Sequence, residues 1–372
     1  MSTSSDALVD RARDQAGFED LGTDPWQLGF DRLLDAIDDE LRDDPVTVGH
    51  VEALLVERLV QRLRVEDWYA QHGEEASHPV ERPVVVVGLP RTATTAVHHL
   101  LSLDDQFRYL RSWELKDPVP PPDAATEHDD PRRPSEARVD VRHIVTVDGP
   151  AEDSPIHALA FDHAELTLPV PSYSVWWRTR DHTAVFEYHE RILRLLHSRR
   201  PPRTWLLKMP AYVFLLDEMA EHYPTATFVM THRDPVTALA STCSTVADAR
   251  QKRTPTWRPG PEFGHQQLEH WVDGMRRAMA SRDSLGEHRF VDVAQHELEA
   301  DPVGTAERIY ERASRPLAGE VADSMAAWAD ANRRGSRGRH HYDLADYGLT
   351  AAEVTAAFEP YLARYGDRLG SA

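Results

Sequence analysis

A chain of 372 residues, of which 41% are hydrophobic, is long enough to form one large α/β core with helical additions. Its formal net charge of −20 argues against binding of nucleic acid or of an anionic membrane surface through bulk electrostatics, so an anionic ligand must be captured locally. The single cysteine, Cys243, excludes an intrachain disulfide. No basic segment followed by an apolar run opens the chain, and no stretch approaches the roughly 18 apolar residues of a membrane span, which predicts a soluble, cytoplasmic protein.

The N-terminal region, residues 1–80, has apolar residues at helical spacing in two runs, one from Trp26 to Leu41 and one from Val51 to Leu63. We expect this region to be a helical extension that caps the core or covers a site. The rest of the chain, residues 81–372, is predicted to form one α/β domain.

Residues 83–102 are predicted to form a strand, a tight loop and a helix. Val84–Val87 is an unbroken β-branched run, typical of a strand buried on both faces, and Gly88 and Pro90 end it. From Thr94 onward, apolar residues recur at helical spacing. Because this geometry aims backbone N–H groups and the positive end of a helix dipole at the space above the loop, it favours binding of a phosphate or a sulfate.

Polar side chains of this loop favour the same ligand. Arg91 offers a planar fork of donors, and Thr92, Thr94 and Thr95 offer hydroxyl groups. The pattern GxxxxGK[ST] is not met, because no Gly-Lys-Ser/Thr follows, so a standard magnesium-nucleotide site is not predicted. The alternative interpretation is an ordinary buried strand followed by a threonine-capped helix.

Glu114 lies in a segment, residues 109–117, that is predicted to be a short strand leading into a proline-rich turn. It follows Arg91 by 23 residues, which is enough for the chain to cross the helix and return to the same edge of the sheet. We therefore expect its carboxylate to face the anion site. The alternative is a solvated glutamate at a strand end.

The segment from Val147 to Tyr188 is rich in aromatic and histidine residues, and it also contains Glu152 and His157. Aromatic surface of this kind lines a ligand pocket in one interpretation and forms ordinary core in the other.

Two further predicted strands end in basic residues. Trp205–Lys208 ends in a lysine, and the strand at 226–232 is followed by Arg233. Since ligands of open α/β sheets bind at the carboxyl ends of the strands, both side chains are expected to meet an anion, although Lys208 could instead reach solvent from its strand end. Ser241, eight residues after Arg233 on the next predicted helix, is placed to bind the same phosphate.

A late loop at 332–341 follows a predicted fourth strand at 289–293 and a pair of helices. It carries four arginines within seven residues: Arg333, Arg334, Arg337 and Arg339. On so acidic a chain this cluster is a candidate for capture of a phosphate, with a solvated basic loop as the alternative.

Three of these motifs, in this order, resemble the sulfotransferases that use 3′-phosphoadenosine-5′-phosphosulfate, and the resemblance covers about residues 83–342. In that family a Pro-[Lys/Arg]-[Ser/Thr]-[Gly/Ala]-Thr-Thr loop binds the 5′-phosphosulfate, an arginine with a serine eight residues later binds the 3′-phosphate, and a late Arg-Lys-Gly-x-x-Gly loop closes over the nucleotide. The similar stretches here are Pro90-Arg91-Thr92-Ala93-Thr94-Thr95, the pair Arg233 and Ser241, and Arg333-Arg334-Gly335-Ser336-Arg337-Gly338.

The resemblance is closer to the bacterial and tyrosylprotein branches of that family. It implies a P-loop-like parallel sheet flanked by helices, an acceptor-binding insertion at about 116–200, and transfer to a hydroxyl or amine of a small-molecule or lipid acceptor without a metal. Arg91, Glu114 and Lys208 look like the catalytic positions of the tyrosylprotein branch, with Glu114 as the base. We expect apolar surroundings to raise the pKa of Glu114, and Glu152 and His157 are the other candidate bases.

Other functions remain open at this point. An ATP-dependent small-molecule kinase with a degenerate P-loop would need a magnesium-binding acidic group beside the first loop. A non-catalytic nucleotide-binding or scaffold protein would be disfavoured by convergence of Arg91, Glu114 and Lys208 in the fold.

Overall fold

The computed structural model describes residues 4–23, 26–136, 146–163, 167–332 and 342–370. Five strands form one sheet within these residues: β1 (Val84–Gly88), β2 (Phe107–Arg108), β3 (Thr204–Lys208), β4 (Thr227–His232) and β5 (Phe290–Ala294). The predicted strand around residues 109–117 is wrong in position, because the strand is earlier and shorter and a helical turn follows it. The predicted α/β architecture is confirmed.

The described helices are α1 (Ser5–Ala16), α2 (Trp26–Leu41), α3 (Pro45–His72), α4 (Thr94–Leu101), α5 (Ser112–Lys116), α6 (Ser154–Leu159), α7 (Pro171–Trp177), α8 (Thr183–His197), α9 (Leu216–His222), α10 (Pro235–Arg253), α11 (Pro261–Leu285), α12 (Gln295–Ala300), α13 (Pro302–Arg312), α14 (Gly319–Ala331), α15 (Ala351–Ala357) and α16 (Glu359–Tyr365). None of the helices in the described ranges combines the length and apolar character needed to cross a membrane.

The sheet is parallel throughout, with the order β2-β3-β1-β4-β5. In the pairing of β1 with β3, Val86 lies opposite Lys208, and in the pairing of β1 with β4, Gly88 lies opposite Thr231. The carboxyl ends of the three central strands therefore meet at one edge of the sheet, which is where open α/β sheets bind their ligands.

The valines of β1 explain its central position. All four are fully buried, and successive residues face opposite sides of the sheet. Val85 and Val87 belong to the larger apolar core, and Val84 and Val86 belong to a smaller core on the other face. A strand with apolar side chains on both faces is stable only when helices cover both, as they do here.

The N-terminal helices α1–α3 share the larger core with the sheet. Arg62 of α3 is fully buried, donates hydrogen bonds to the carbonyl oxygens of Leu21 (2.6 Å) and Leu159 (3.3 Å), and lies 4.3 Å from the ring centre of Tyr188. This side chain joins the first 80 residues to the rest of the chain. The division into an extension and a domain near residue 80 stays a prediction.

Replacement of the buried arginine tests that connection. Arg62→Ala should lower the free energy of unfolding by about 3 kcal/mol, because two buried carbonyl groups lose their donor and a cavity remains. Arg32→Ala is the control, since that side chain is 54% exposed, and it should change stability by less than about 0.5 kcal/mol. Urea denaturation measures both, and equal effects would contradict the account.

Candidate active site

The loop between β1 and α4 has a constrained backbone. Gly88 has φ +147°, and a Cβ there would come within 2.6 Å of Thr231 Oγ1, so only glycine fits. Arg91 and Ala93 also adopt positive φ values, 67° and 77°. Thr92, between them, does not have a positive φ, and this alternation in the sign of φ turns successive backbone N–H groups toward one concavity, which is an arrangement that can bind an anion. Ala93 is the N-cap of α4 and has no side-chain acceptor, so the first N–H groups of the helix remain available to a ligand.

Thr92 fastens this loop to β4. Its hydroxyl donates to the carbonyl oxygen of Leu89 (2.6 Å) and lies 2.6 Å from the hydroxyl of Thr231, and the residue is fully buried. The hydroxyl predicted to contact an anion is therefore used inside the fold, where it fixes the loop.

Three of the predicted anion-binding residues converge. The Nε of Arg91 donates to the hydroxyl oxygen of Ser241 on α10 (3.0 Å), and the guanidinium of Arg233 donates to the carbonyl oxygen of Arg91 (3.0 Å). The first loop, the end of β4 and the first turns of α10 thus come together.

Lys208 reaches the same loop from the end of β3. Its ammonium group donates to Thr95 Oγ1 (3.2 Å) at the start of α4 and to Glu152 Oε1 (2.5 Å). The lysine side chain is only 3% exposed, whereas that of Glu152 is 42% exposed. The lysine is therefore fixed between the start of α4 and a carboxylate that solvent can reach.

Asp153 explains why Glu152 lies there. Its backbone N–H donates to the carbonyl oxygen of Lys208 (3.1 Å), and its carboxylate accepts from the backbone N–H of Lys208 (3.2 Å) and from Tyr212 Oη (2.5 Å). The carboxyl is fully buried, and burial raises its pKa to about 7. Sequence analysis missed this residue, because only the fold brings it to the end of β3.

Glu114 lies elsewhere. Its carboxylate accepts hydrogen bonds from Arg108 (2.6 Å) and Arg111 (2.5 Å) and is fully buried on α5. Burial alone would raise its pKa, but the charges of the two arginines outweigh burial and hold the pKa below the ordinary value. The expected raised pKa is therefore wrong. The assignment of Glu114 as the base stays a prediction that this placement does not favour.

The aromatic segment at 147–188 is mainly core. Phe161, Tyr173, Trp177 and Phe186 are all at most 2% exposed. His157 is fully buried against Phe186, His189 and Tyr212, and burial lowers its pKa well below the usual value, so it is poorly placed to meet a ligand.

A cavity of about 650 Å³ adjoins the loop between β1 and α4. Arg91, Thr95 and Glu152 are among the residues that line it. Its walls come largely from α3, α5, α6 and α10 and include the apolar side chains of Leu54, Leu115, Leu159, Met209, Val246 and Trp271. A volume in this range suits a drug-sized molecule.

The late loop residues Arg333, Arg334 and Gly335 lie outside the described residues. Within the described ranges, no group of three or more His, Cys, Asp or Glu side chains is arranged to hold a metal ion.

Comparisons with known proteins agree with this geometry. The family model described as "Sulfotransferase family" matches residues 83–319. The sulfotransferase STF9 from Mycobacterium avium is 28% identical, with a TM-score of 0.88 over 98% of this chain and 97% of that one. The sulfotransferase STF1 from Mycobacterium tuberculosis H37Rv is also 28% identical, with a TM-score of 0.83 over 96% and 99%. No curated protein matches the chain by sequence.

A structural role for Glu114 predicts a pH-dependent loss of stability on mutation. Glu114→Gln should lower the free energy of unfolding by about 3 kcal/mol at pH 7, because the buried Arg108 loses its anionic partner and Arg111 keeps only Glu127 and Asp148. A carboxyl whose folded pKa is lowered stabilises the fold above its unfolded pKa, and this contribution is lost as the pH falls through the folded value. Urea denaturation should therefore show the difference between the two proteins narrowing in acid, whereas a constant difference would argue against the ion pairs.

Proposed function

The chain belongs to the sulfotransferase family, and from that premise we propose that it transfers the sulfuryl group of 3′-phosphoadenosine-5′-phosphosulfate to a hydroxyl or amine of a small-molecule or lipid acceptor. The observation that carries the proposal is the convergence of Arg91, Ser241 and Arg233 through two hydrogen bonds of 3.0 Å at the ends of β1 and β4. A nucleotide with phosphates on both sides of its ribose needs two such anion sites close together.

We assign the 5′-phosphosulfate to the loop formed by Pro90, Arg91, Thr92, Ala93, Thr94 and Thr95. The positive φ values in this loop and the uncapped start of α4 support the assignment. The 3′-phosphate is assigned to Arg233 and Ser241, with Arg333, Arg334 and Gly335 of the late loop as further contacts.

The proposed reaction is an in-line displacement at sulfur. The acceptor oxygen forms a bond to sulfur while the bond from sulfur to the bridging oxygen breaks, and the bisphosphate nucleotide leaves with the added negative charge. Positioning and preorganised positive charge supply most of the acceleration in related phosphoryl transfers. We assign Arg91 and Lys208 to the bridging and sulfuryl oxygens, and the 3.2 Å contact from Lys208 to Thr95 supports this by holding the ammonium group beside the loop.

We assign the general base to Glu152 in preference to Glu114. The side chain of Glu152 lines the cavity, is partly exposed and lies 2.5 Å from the ammonium group of Lys208, so an acceptor in the cavity can reach a carboxylate that is held beside the lysine. The carboxylate would take the proton of the acceptor hydroxyl as the bond to sulfur forms. Both oxygens of Glu114 are instead bonded to Arg108 and Arg111.

The cavity supports an acceptor with an apolar body. Its lining combines charged side chains, among them Arg91 and Glu152, with aliphatic side chains and Trp271, which fits a molecule that has an apolar body and presents one hydroxyl group to Glu152. The kinase alternative is not favoured by the family match, and a non-catalytic protein would not need the Lys208–Glu152 pair.

A kinetic comparison separates the two candidate bases. Glu152→Gln should lower kcat by about 10²–10⁴-fold with unchanged affinity for adenosine 3′,5′-bisphosphate, because a general base contributes that much to the chemical step alone. The assay is release of the bisphosphate from the donor in a screen of phenols, hydroxylated lipids and glycosides. Glu114→Gln is the matched control and should retain most activity at a temperature at which it is folded; the reverse ranking would restore Glu114 as the base.

Arginine substitutions test the 3′-phosphate site. Arg233→Ala and Arg334→Ala should each weaken binding of adenosine 3′,5′-bisphosphate by about 10-fold or more, and binding of adenosine 5′-monophosphate much less, since each loses a charge-assisted bond to the 3′-phosphate. Isothermal titration calorimetry measures both ligands. Equal losses for the two nucleotides would move these arginines to another part of the site.

A further inference from the structure

The cavity beside the loop between β1 and α4 follows one face of α10. The residues of this helix that line it recur at helical spacing: Thr242, Thr245, Val246, Ala249 and Arg253. Because a helix rises about 1.5 Å per residue, the first and the last of these lining positions are about 16 Å apart along the helix axis. The cavity is therefore long in this direction.

The lining face of α10 begins beside the loop between β1 and α4. The hydroxyl oxygen of Ser241, one residue before Thr242, accepts a hydrogen bond from Arg91 Nε at 3.0 Å. Arg91 itself also lines the cavity. The lining face therefore starts next to the residues to which the sulfuryl group is assigned, and it leads away from them toward the C-terminal end of the helix.

This face is largely apolar although it includes two threonines. The hydroxyl of Thr242 donates to the carbonyl oxygen of Ala238 (2.8 Å), and the hydroxyl of Thr245 donates to the carbonyl oxygen of Ser241 (3.0 Å). Both hydroxyl hydrogens are thus used within the helix, as is common for threonine inside helices. The next two lining residues, a valine and an alanine, carry no polar side-chain atom.

Apolar side chains of other elements line the same cavity. Leu54 lies on α3, Leu115 on α5, Leu159 on α6 and Trp271 on α11. A linear apolar chain that lies along α10 can bury its surface against these side chains, and each buried methylene group favours binding by about threefold or more. A compact acceptor of the size of a monosaccharide would leave most of this length unfilled.

We propose that the acceptor hydroxyl is carried by a linear apolar chain at least about 10 Å long, and that Ala249 determines the chain length that the cavity accepts. The inference rests on the proposed function and deepens it, because it names the class of acceptor. The acceptor oxygen bonds to sulfur, its proton passes to Glu152, and adenosine 3′,5′-bisphosphate leaves, so that the product is a sulfate ester of the chain.

The position of Ala249 gives it this role. It follows Thr242 by seven residues, which is about 10 Å along the helix axis, and it has the smallest side chain of the lining face. A larger side chain there would narrow the cavity two turns away from Thr242 and leave the space beside Arg91 open.

A series of primary alcohols from butanol to decanol tests the inference on the unmodified protein. Each added methylene group should raise kcat/KM about threefold, because the transition state buries more apolar surface, so that decanol exceeds butanol by at least about 100-fold. Release of adenosine 3′,5′-bisphosphate from the donor measures the rates. Glucose is the compact control and should show a kcat/KM no higher than that of butanol.

Substitutions on α10 test the role of Ala249. Ala249→Phe should lower the ratio of kcat/KM for decanol to that for butanol by about 10-fold or more, because the ring takes the space of the distal methylene groups. Ala249→Val should lower the ratio less, and it keeps the test usable if the ring disturbs folding. Lys252→Phe is the matched control and should leave the ratio unchanged, since Lys252 is exposed on the same helix outside the cavity lining. Thermal denaturation verifies that each variant is folded.

The outcomes separate the inference from the function on which it rests. If no phenol, hydroxylated lipid, glycoside or alcohol causes release of the bisphosphate, the proposed function fails. If an acceptor is sulfated but kcat/KM does not depend on chain length, or glucose is preferred, the proposed function stands and the elongated acceptor is overturned. A strong dependence on chain length that both substitutions of Ala249 leave intact would support the elongated acceptor and overturn the role of Ala249.

Discussion

The parallel pairing of β1 with β3 on one side and β4 on the other is the constraint on which the site depends. It places the last residues of three strands at one edge, so that Lys208, the loop after Gly88 and Arg233 meet, although Arg91 and Arg233 are 142 positions apart in the chain. The bond between Thr92 and Thr231, and the close approach that only Gly88 permits, then hold the loop against β4. Loss of this register would separate Arg91 and Arg233 from Lys208.

Local patterns predicted much of this arrangement. The four valines of β1 predicted a buried parallel strand, and the loop after them predicted an anion site because its geometry depends on residues adjacent in sequence. The eight-residue spacing of Arg233 and Ser241 placed both on one strand–helix unit, and the structure brings them to Arg91. The predicted α/β fold and the family are confirmed, whereas the catalytic and nucleotide-binding roles of these residues stay predictions.

The remaining features depend on tertiary contacts that no local pattern encodes. Glu114 lies on a helical turn, α5, where a strand was predicted. Because of this turn, its carboxylate accepts a hydrogen bond from Arg108. A segment rich in aromatic residues, such as 147–188, can form either a pocket wall or a core, and its composition does not distinguish the two. Most of these aromatic side chains are buried in the core. Asp153 acts through its paired hydrogen bonds with Lys208, a residue 55 positions away, and the only sequence signal was its position beside Glu152.

The central claim is that loops far apart in the chain form one cradle for an adenine nucleotide phosphorylated on both sides of its ribose. A crystal structure of the protein with adenosine 3′,5′-bisphosphate tests it most directly. The account predicts the 5′-phosphate on the backbone amides of residues 92–95 and the 3′-phosphate between Arg233 and Ser241. A nucleotide bound at another edge of the sheet, or one whose 3′-phosphate points into solvent, would contradict it.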